Sequence, residues 1–320
     1  MKKNIYNLVI ILILCIILVL ILTLSKDIIE TVLFGFTIWK ENIFTSLFPI
    51  FIVAEFLMNY GFVELIGELT KKIIGKLFYL PGEASFVIIA SMLSGFPSSA
   101  KYIKQLLGNN CITEDEAQYL LCFTHFSNPL FVTGVIGTSV FNNRTLGIII
   151  LLVHIITNFI IALIIRKKRD IKISPINLKY VLRQIEKKRS KTSFIKTLTD
   201  AINKTINTLL LLLGIIITFL VLSKILNNVI DTSPLNQAIL SGILEMTQGI
   251  KYTSLLNIPI NLKAAIITAL ISFGGISIHL QIISILSEVK IKYKYYLICR
   301  IIHAVISSTL VYFITSFYCV

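Results

Sequence analysis

Long, almost unbroken apolar runs alternate along this chain with shorter apolar segments interrupted by serine, glycine and proline. Residues 5–24, 146–165 and 206–222 are nearly free of polar side chains. A helix needs about 20 residues to cross a hydrocarbon core about 30 Å thick. Backbone groups in lipid must find partners inside their own segment, and no stretch alternates with the period of a barrel strand. Each run therefore predicts a membrane-spanning α-helix.

The interrupted segments lie between these runs. A short apolar stretch, 28–39, is followed by 43–60, which Pro49 interrupts. Residues 62–80 have apolar positions at helical spacing with Glu64, Glu68, Lys71, Lys72 and Lys76 between them, the pattern of an amphipathic helix in the interface. Pro81-Gly82 ends it. The segment 84–107 is broken at Ser94-Gly95-Phe96-Pro97, and Thr113 with Glu116 forms a capping box that starts a helix broken in turn at Ser127-Asn128-Pro129. After 206–222 and a turn at 231–234, the segment 239–256 carries Glu245 in its middle. The next, 264–286, is broken at Ser272-Phe273-Gly274-Gly275, and a last helix covers 293–317.

The expected fold class is all-α: a polytopic membrane protein with two related halves, discontinuous helices and re-entrant hairpins, with about seven to nine membrane segments. The organisation reads as an N-terminal transmembrane helix (1–27), a first half (28–165), a basic linker (166–198) and a second half (199–320). A cleavable leader is the alternative for the first run. Its apolar part is longer than a usual leader core, and Thr23-Leu24-Ser25-Lys26 is a poor cleavage site, which favours an uncleaved helix. The halves align on their breaks when Ser94 is set against Ser272, Ser99 against Ser277 and Lys101 against His279. The charges leave an inverted or a parallel repeat equally open.

Composition strengthens the membrane reading: 56% of residues are hydrophobic, 14% charged, and the mean hydropathy is +0.86. Soluble domains carry about 25% charged residues. The net charge of +14 does not indicate nucleic acid, because the basic residues concentrate in 166–196 against only Asp170 and Glu186. That density places the linker on the cytoplasmic side of the membrane. Within it Leu178, Val181, Leu182 and Ile185 fall at helical spacing, so the linker is either a basic helix lying on the anionic leaflet or a solvated strand of orienting charge. The five cysteines are scattered without metal-ligand or disulfide spacing.

Candidate chemistry lies at the breaks and at two carboxylates inside apolar segments, Glu55 and Glu245. A mid-membrane carboxylate costs at least about 2.5 kcal/mol and marks a cation, proton or polar-ligand site, or a carboxylate satisfied by helix ends. At Ser94, Gly95, Pro97, Ser98 and Ser99, with Lys101 one turn on, Pro97 suits the first turn of a new helix. Its free N–H groups and positive dipole end then face inward. Thr124, Ser127 and Asn128 repeat the design. Thr247 and Gln248 add polar groups beside Glu245, and Gly274, Gly275, Ser277, His279 and Gln281 form the second-half counterpart. Interrupted segments in corresponding positions are the sequence mark of a transporter's central site. His125 and His279 lack the spacing of a metal pair, so neither a metal site nor any cofactor is expected. There is no phosphate loop, no nucleophile elbow and no zinc-protease or dinucleotide motif, which argues against an enzyme and against transport driven by this chain's own ATP hydrolysis.

At these residues the chain resembles the sporulation integral membrane proteins of the YlbJ type, within the wider group carrying a nucleoside-recognition or Gate domain. The resemblance rests on Leu47–Glu55, Ser94–Lys101, Phe123–Phe131, Leu244–Gly249 and Phe273–Gln281, in order across roughly residues 30–310. It implies a multi-pass membrane protein needed for spore formation, with a fold related to concentrative nucleoside transporters and ferrous-iron permease gates. The partners expected are the lipid bilayer, a small polar solute and a coupling cation or proton, with a homo-oligomer left open. The alternative is a non-transporting assembly component of the spore envelope whose linker recruits a partner.

Overall fold

A computed structural model describes residues 2–168, 175–189 and 193–318, and among these every regular element is helical. Arg169, Asp170, Lys172 and Lys191 of the linker, and Cys319, lie outside the described residues. Helix α1 (Lys2–Thr23) exposes its apolar length on all sides, as a span facing lipid does. It leads through a turn into α2 (Ser25–Ile38), a π-helical segment (Trp39–Phe44) and α3 (Thr45–Asn59). The two pieces expected at 28–39 and 43–60 are thus one rod, Ser25–Asn59. The wide turn keeps the chain helical between them, and Pro49 lies inside α3 just after it without ending the rod. Trp39 anchors the turn, donating from Nε1 to the Leu209 carbonyl at 2.8 Å.

Helix α4 (Phe62–Phe78) is the expected amphipathic element; it buries Val63, Ile74 and Phe78 while Leu69 and Ile73 face outward. The next elements are α5 (Ala84–Ser94), a break, α6 (Ser98–Gly108), then α7 (Glu114–Phe123), started by the Thr113–Glu116 capping box. After a second break comes a π-helical segment, Phe131–Val140, and the long α8 (Arg144–Ile165). The linker helix α9 (Leu178–Arg189) buries Val181, leaving Leu178 and Leu182 exposed. Lys71 of α4 donates to the Pro175 carbonyl at 3.0 Å, tying the linker to that helix.

The second half contains α10 (Phe194–Val229), α11 (Pro234–Leu244), α12 (Met246–Leu255), α13 (Ile260–Phe273), α14 (Gly275–Ile285) and α15 (Tyr293–Tyr318). Among the described residues six helical rods are long and apolar enough to span a membrane, with Ala84–Ser94 and Phe131–Val140 as shorter apolar helices. The segment 239–256 is not one helix carrying Glu245, as its hydropathy suggested. The chain turns at Glu245 (φ −140°, ψ 112°), and α11 and α12 pack on one another as a tight hairpin.

The order of elements repeats: helix–break–helix, helix–break–helix, long helix. By that order the break after Ser94 corresponds to Glu245, and the break at 124–128 to Gly274. The sequence-based pairing of Ser94 with Ser272 is out of register with it. Short polar patches can be slid against one another freely when no packing constraint fixes which helix is which.

Candidate functional site

Four chain breaks from different parts of the sequence meet at the centre of the protein. Gly95 has φ +81° and lies so close to Asn128 that an added Cβ would fall 2.5 Å from the Asn128 nitrogen, so the break needs glycine both for its backbone angle and for space. The Phe96 N–H donates to the Phe126 carbonyl at 2.7 Å, and Asn128 Nδ2 to the Ser94 carbonyl at 3.2 Å. These bonds pair the first two breaks. The second two join through Ser277, whose hydroxyl donates to Glu245 Oε2. The sets cross at Gly274 (φ +91°), where a Cβ would lie 2.8 Å from His125 Nε2.

A cavity of about 230 Å³ lies against three of these breaks, those at Ser94–Pro97, Ser127–Asn128 and Glu245. Ser94, Pro97, Ser127 and Asn128 line it from the first half, and Glu245, Thr247 and Gln281 from the second. Its walls are otherwise largely apolar, with Phe96 and Phe131 among them. Such a mixture, a mostly apolar cleft with a few convergent polar groups, is typical of small-molecule sites. Ser127 Oγ and Gln281 Nε2 are buried here with no hydrogen-bond partner. Buried polar atoms of this kind are rare, because each costs the desolvation of a group that nothing satisfies.

Glu245 caps α12. Its Oε1 accepts from the Thr247 N–H at 3.1 Å and the Thr247 hydroxyl at 2.9 Å, and its Oε2 accepts from Ser277. The carboxylate also sits at the positive end of the helix dipole. Both oxygens have further lone pairs, so a cation or a solute hydroxyl can still be taken up. Asn128 caps the chain that follows it, with Oδ1 accepting from the Leu130 N–H at 2.8 Å.

Other candidates lie outside the cavity lining. Glu55 makes a separate buried cluster: Lys101 Nζ is 3.2 Å from Oε1, Lys204 Nζ 3.7 Å from Oε2, and the Gln105 amide also donates to Oε1. Lys101 lies 4.3 Å over the Phe51 ring. The lysine expected beside the first break therefore belongs to an ion pair. Ser98 is turned back onto the Gly95 carbonyl, and Ser99 and Gln248 are buried away from the lining. Thr124 donates to the Leu120 carbonyl within α7. His279 accepts from the Tyr293 hydroxyl at 2.8 Å and donates to the Phe273 carbonyl at 2.9 Å, which makes it a brace for α14. Gly95, Gly274, Gly275 and Ser277 shape the breaks without lining the cavity.

Sequence reasoning missed Glu41, Asn42 and Ser46, which line the cavity from the π-helical turn and the start of α3. Their signal was a carboxylate and amide inside the apolar rod 25–59. It also missed Arg300, a fully buried cation inside the last helix.

Discontinuous helices meeting around a mostly apolar cavity with a buried carboxylate define this chain as a polytopic membrane protein of transporter-like architecture. The family model described as "Gate: Nucleoside recognition" matches residues 41–144, the span that holds the first two breaks. Across 305 residues the chain is 32% identical to the sporulation integral membrane protein YlbJ of Bacillus subtilis (strain 168), covering 87% of this chain and 75% of that one. The chain belongs to this YlbJ family of integral membrane proteins. No solved structure matches it.

Proposed function

We propose that this chain acts in sporulation as a secondary, permease-like transporter of a small polar solute. The solute is held in the central cavity, and a cation or proton is taken up at Glu245. The observation that carries this reading is the convergence of three helix breaks, with α14 beside them, on one cavity holding a buried carboxylate and two unpaired polar atoms, Ser127 Oγ and Gln281 Nε2. Broken helices meeting at mid-membrane supply the ends and free backbone groups from which transporters build such sites. The chemistry needed is binding and release, so the protein is not read as an enzyme. The basic linker faces the cytoplasm on this reading, as the positive-inside rule requires.

The test is sporulation complementation in a spore-forming strain lacking its own copy, using Glu245→Gln, Ser127→Ala and Gln281→Leu with membrane levels checked by blot. Loss of heat-resistant spores at normal protein level supports the central site. Normal spores from all three variants would leave the second reading, a non-transporting assembly component. The exposed Leu178 and Leu182 of α9 favour that alternative, since they offer a partner an apolar strip beside Lys179 and Arg183.

A further inference from the structure

Arg300, in α15, is completely buried, and among the described residues no carboxylate lies within ion-pairing distance of it. A cation in such a place is expensive unless hydrogen bonds replace its water. Its bonds go to the second chain break. One guanidinium nitrogen donates to the Cys122 carbonyl, at the end of α7, and to Asn158 Oδ1 at 3.2 Å. The other donates to His303 Nδ1 at 2.9 Å. The last carbonyls of a helix lack intrahelical partners and form the negative end of its dipole, so a cation fits there.

The bonds continue outward from Arg300 in a direction that donor chemistry dictates. Because Nδ1 of His303 accepts, its Nε2 carries the proton and donates to the His154 carbonyl at 3.0 Å. Asn158 Nδ2 donates to the His125 carbonyl at 2.8 Å. The Ser127 N–H donates to His154 Nε2 at 3.1 Å, which leaves the His154 proton on Nδ1, facing Ser272 Oγ at 3.1 Å. The Ser307 hydroxyl, which donates to the His303 carbonyl at 2.6 Å, lies 2.8 Å from the same Ser272 hydroxyl. Backbone groups of Cys122, His125 and Ser127, released where α7 unwinds, are thus held by side chains of α8 and α15. A backbone that leaves its helix inside a membrane needs such partners.

We propose that Arg300 is the positioning residue of the central cavity, holding the unwound 122–127 backbone and thereby fixing where Ser127 and Asn128 meet the solute. Arg300 itself touches neither the cavity nor Glu245. The geometry stands on its own; its consequence for activity rests on the transport reading.

The test uses the full-length chain carrying Ser127→Cys, with Cys15, Cys122, Cys299 and Cys319 replaced by alanine. Cys111, before the start of α7, is kept as an internal control. Purified protein is labelled with a small charged thiol reagent, and the two sites are quantified separately in the presence of Arg300, Arg300→Lys or Arg300→Met. Arg300→Met is expected to raise the labelling rate at position 127 about tenfold with Cys111 unchanged, the effect of losing one or more charge-assisted bonds. Arg300→Lys, which keeps the charge but on a single donor nitrogen in place of the guanidinium fork, falls between. An unchanged rate at 127, or an equal rise at both sites, overturns the proposal. Where Arg300→Met does not accumulate, Asn158→Leu removes one arm of the clamp and carries the same expectation at smaller size. The labelling needs no solute, so it separates the two readings: a loosened break with normal resistant spores counts against transport and leaves the clamp standing.

Discussion

Ser277 of α14 donates its hydroxyl to Glu245 Oε2 at the tip between α11 and α12. This bond connects a hairpin to a broken helix, and it leaves the carboxylate held by donors from two elements at once, since Thr247 supplies two more. The two residues should therefore be energetically coupled. Ser277→Ala and Glu245→Gln are each expected to lower stability by about 1–2 kcal/mol, while the double variant loses clearly less than the sum. Thermal unfolding of the four proteins in detergent measures this. Strict additivity would show that the bond carries no weight.

Gly95 should tolerate nothing larger. At φ +81°, with a Cβ forced to 2.5 Å from the Asn128 nitrogen, Gly95→Ala is expected to cost at least about 2 kcal/mol. The strain is delivered to the Asn128 cap and so to the cavity wall. A melting temperature within error of the parent would contradict the close approach of the two breaks.

The Glu55–Lys101 pair is a structural lock, buried on both sides. Removing one partner of such a pair costs about 3–5 kcal/mol, whereas replacing both by apolar residues is often close to neutral. Glu55→Leu alone and Lys101→Met alone should both reduce membrane level and thermal stability, and the double variant should recover most of the loss. If Glu55→Leu instead abolished spore formation at normal protein level and stability, Glu55 would belong to the solute path.

Glu83, in the turn between α4 and α5, predicts a pH effect. Burial, and then the charges of Glu64, Glu68 and Glu116, hold its carboxyl above the usual carboxylate value of 4.5. A raised folded-state pKa means the folded form prefers the proton. The group is therefore without cost below pH 4.5 and increasingly destabilising as pH rises through the folded-state pKa. Glu83→Gln should raise stability at neutral pH, and the gain should vanish at pH 4 and below. A gain that persisted in acid would mean the effect is packing and not charge.

The helix breaks that border the candidate site were visible in the pattern of residues. Ser94-Gly95-Phe96-Pro97 and Ser127-Asn128-Pro129 read as breaks because proline and glycine act on the backbone locally, whatever surrounds them. Glu245 was legible as a costly intramembrane carboxylate, but its hairpin was not. The chain turns there with no proline or glycine at the turn itself; the side chain caps the next helix, and Ser277, distant in sequence, completes the site. Lys101 misled for the converse reason, since its nearness to Pro97 along the chain suggested an anion site while packing delivers it to Glu55.

By itself, then, the sequence determined that this is a polytopic helical membrane protein, where its long spans run and where most of its helices break. Those properties follow from hydrophobicity and backbone sterics, which act over about one helix length at a time. The tertiary structure alone decided which breaks meet, that Glu41 and Asn42 join them at the cavity, and that Arg300 holds the second break from behind. Those outcomes depend on contacts between residues 32 and 34 positions apart at the breaks and 142 and 178 apart at Arg300, and only helix packing brings such residues together.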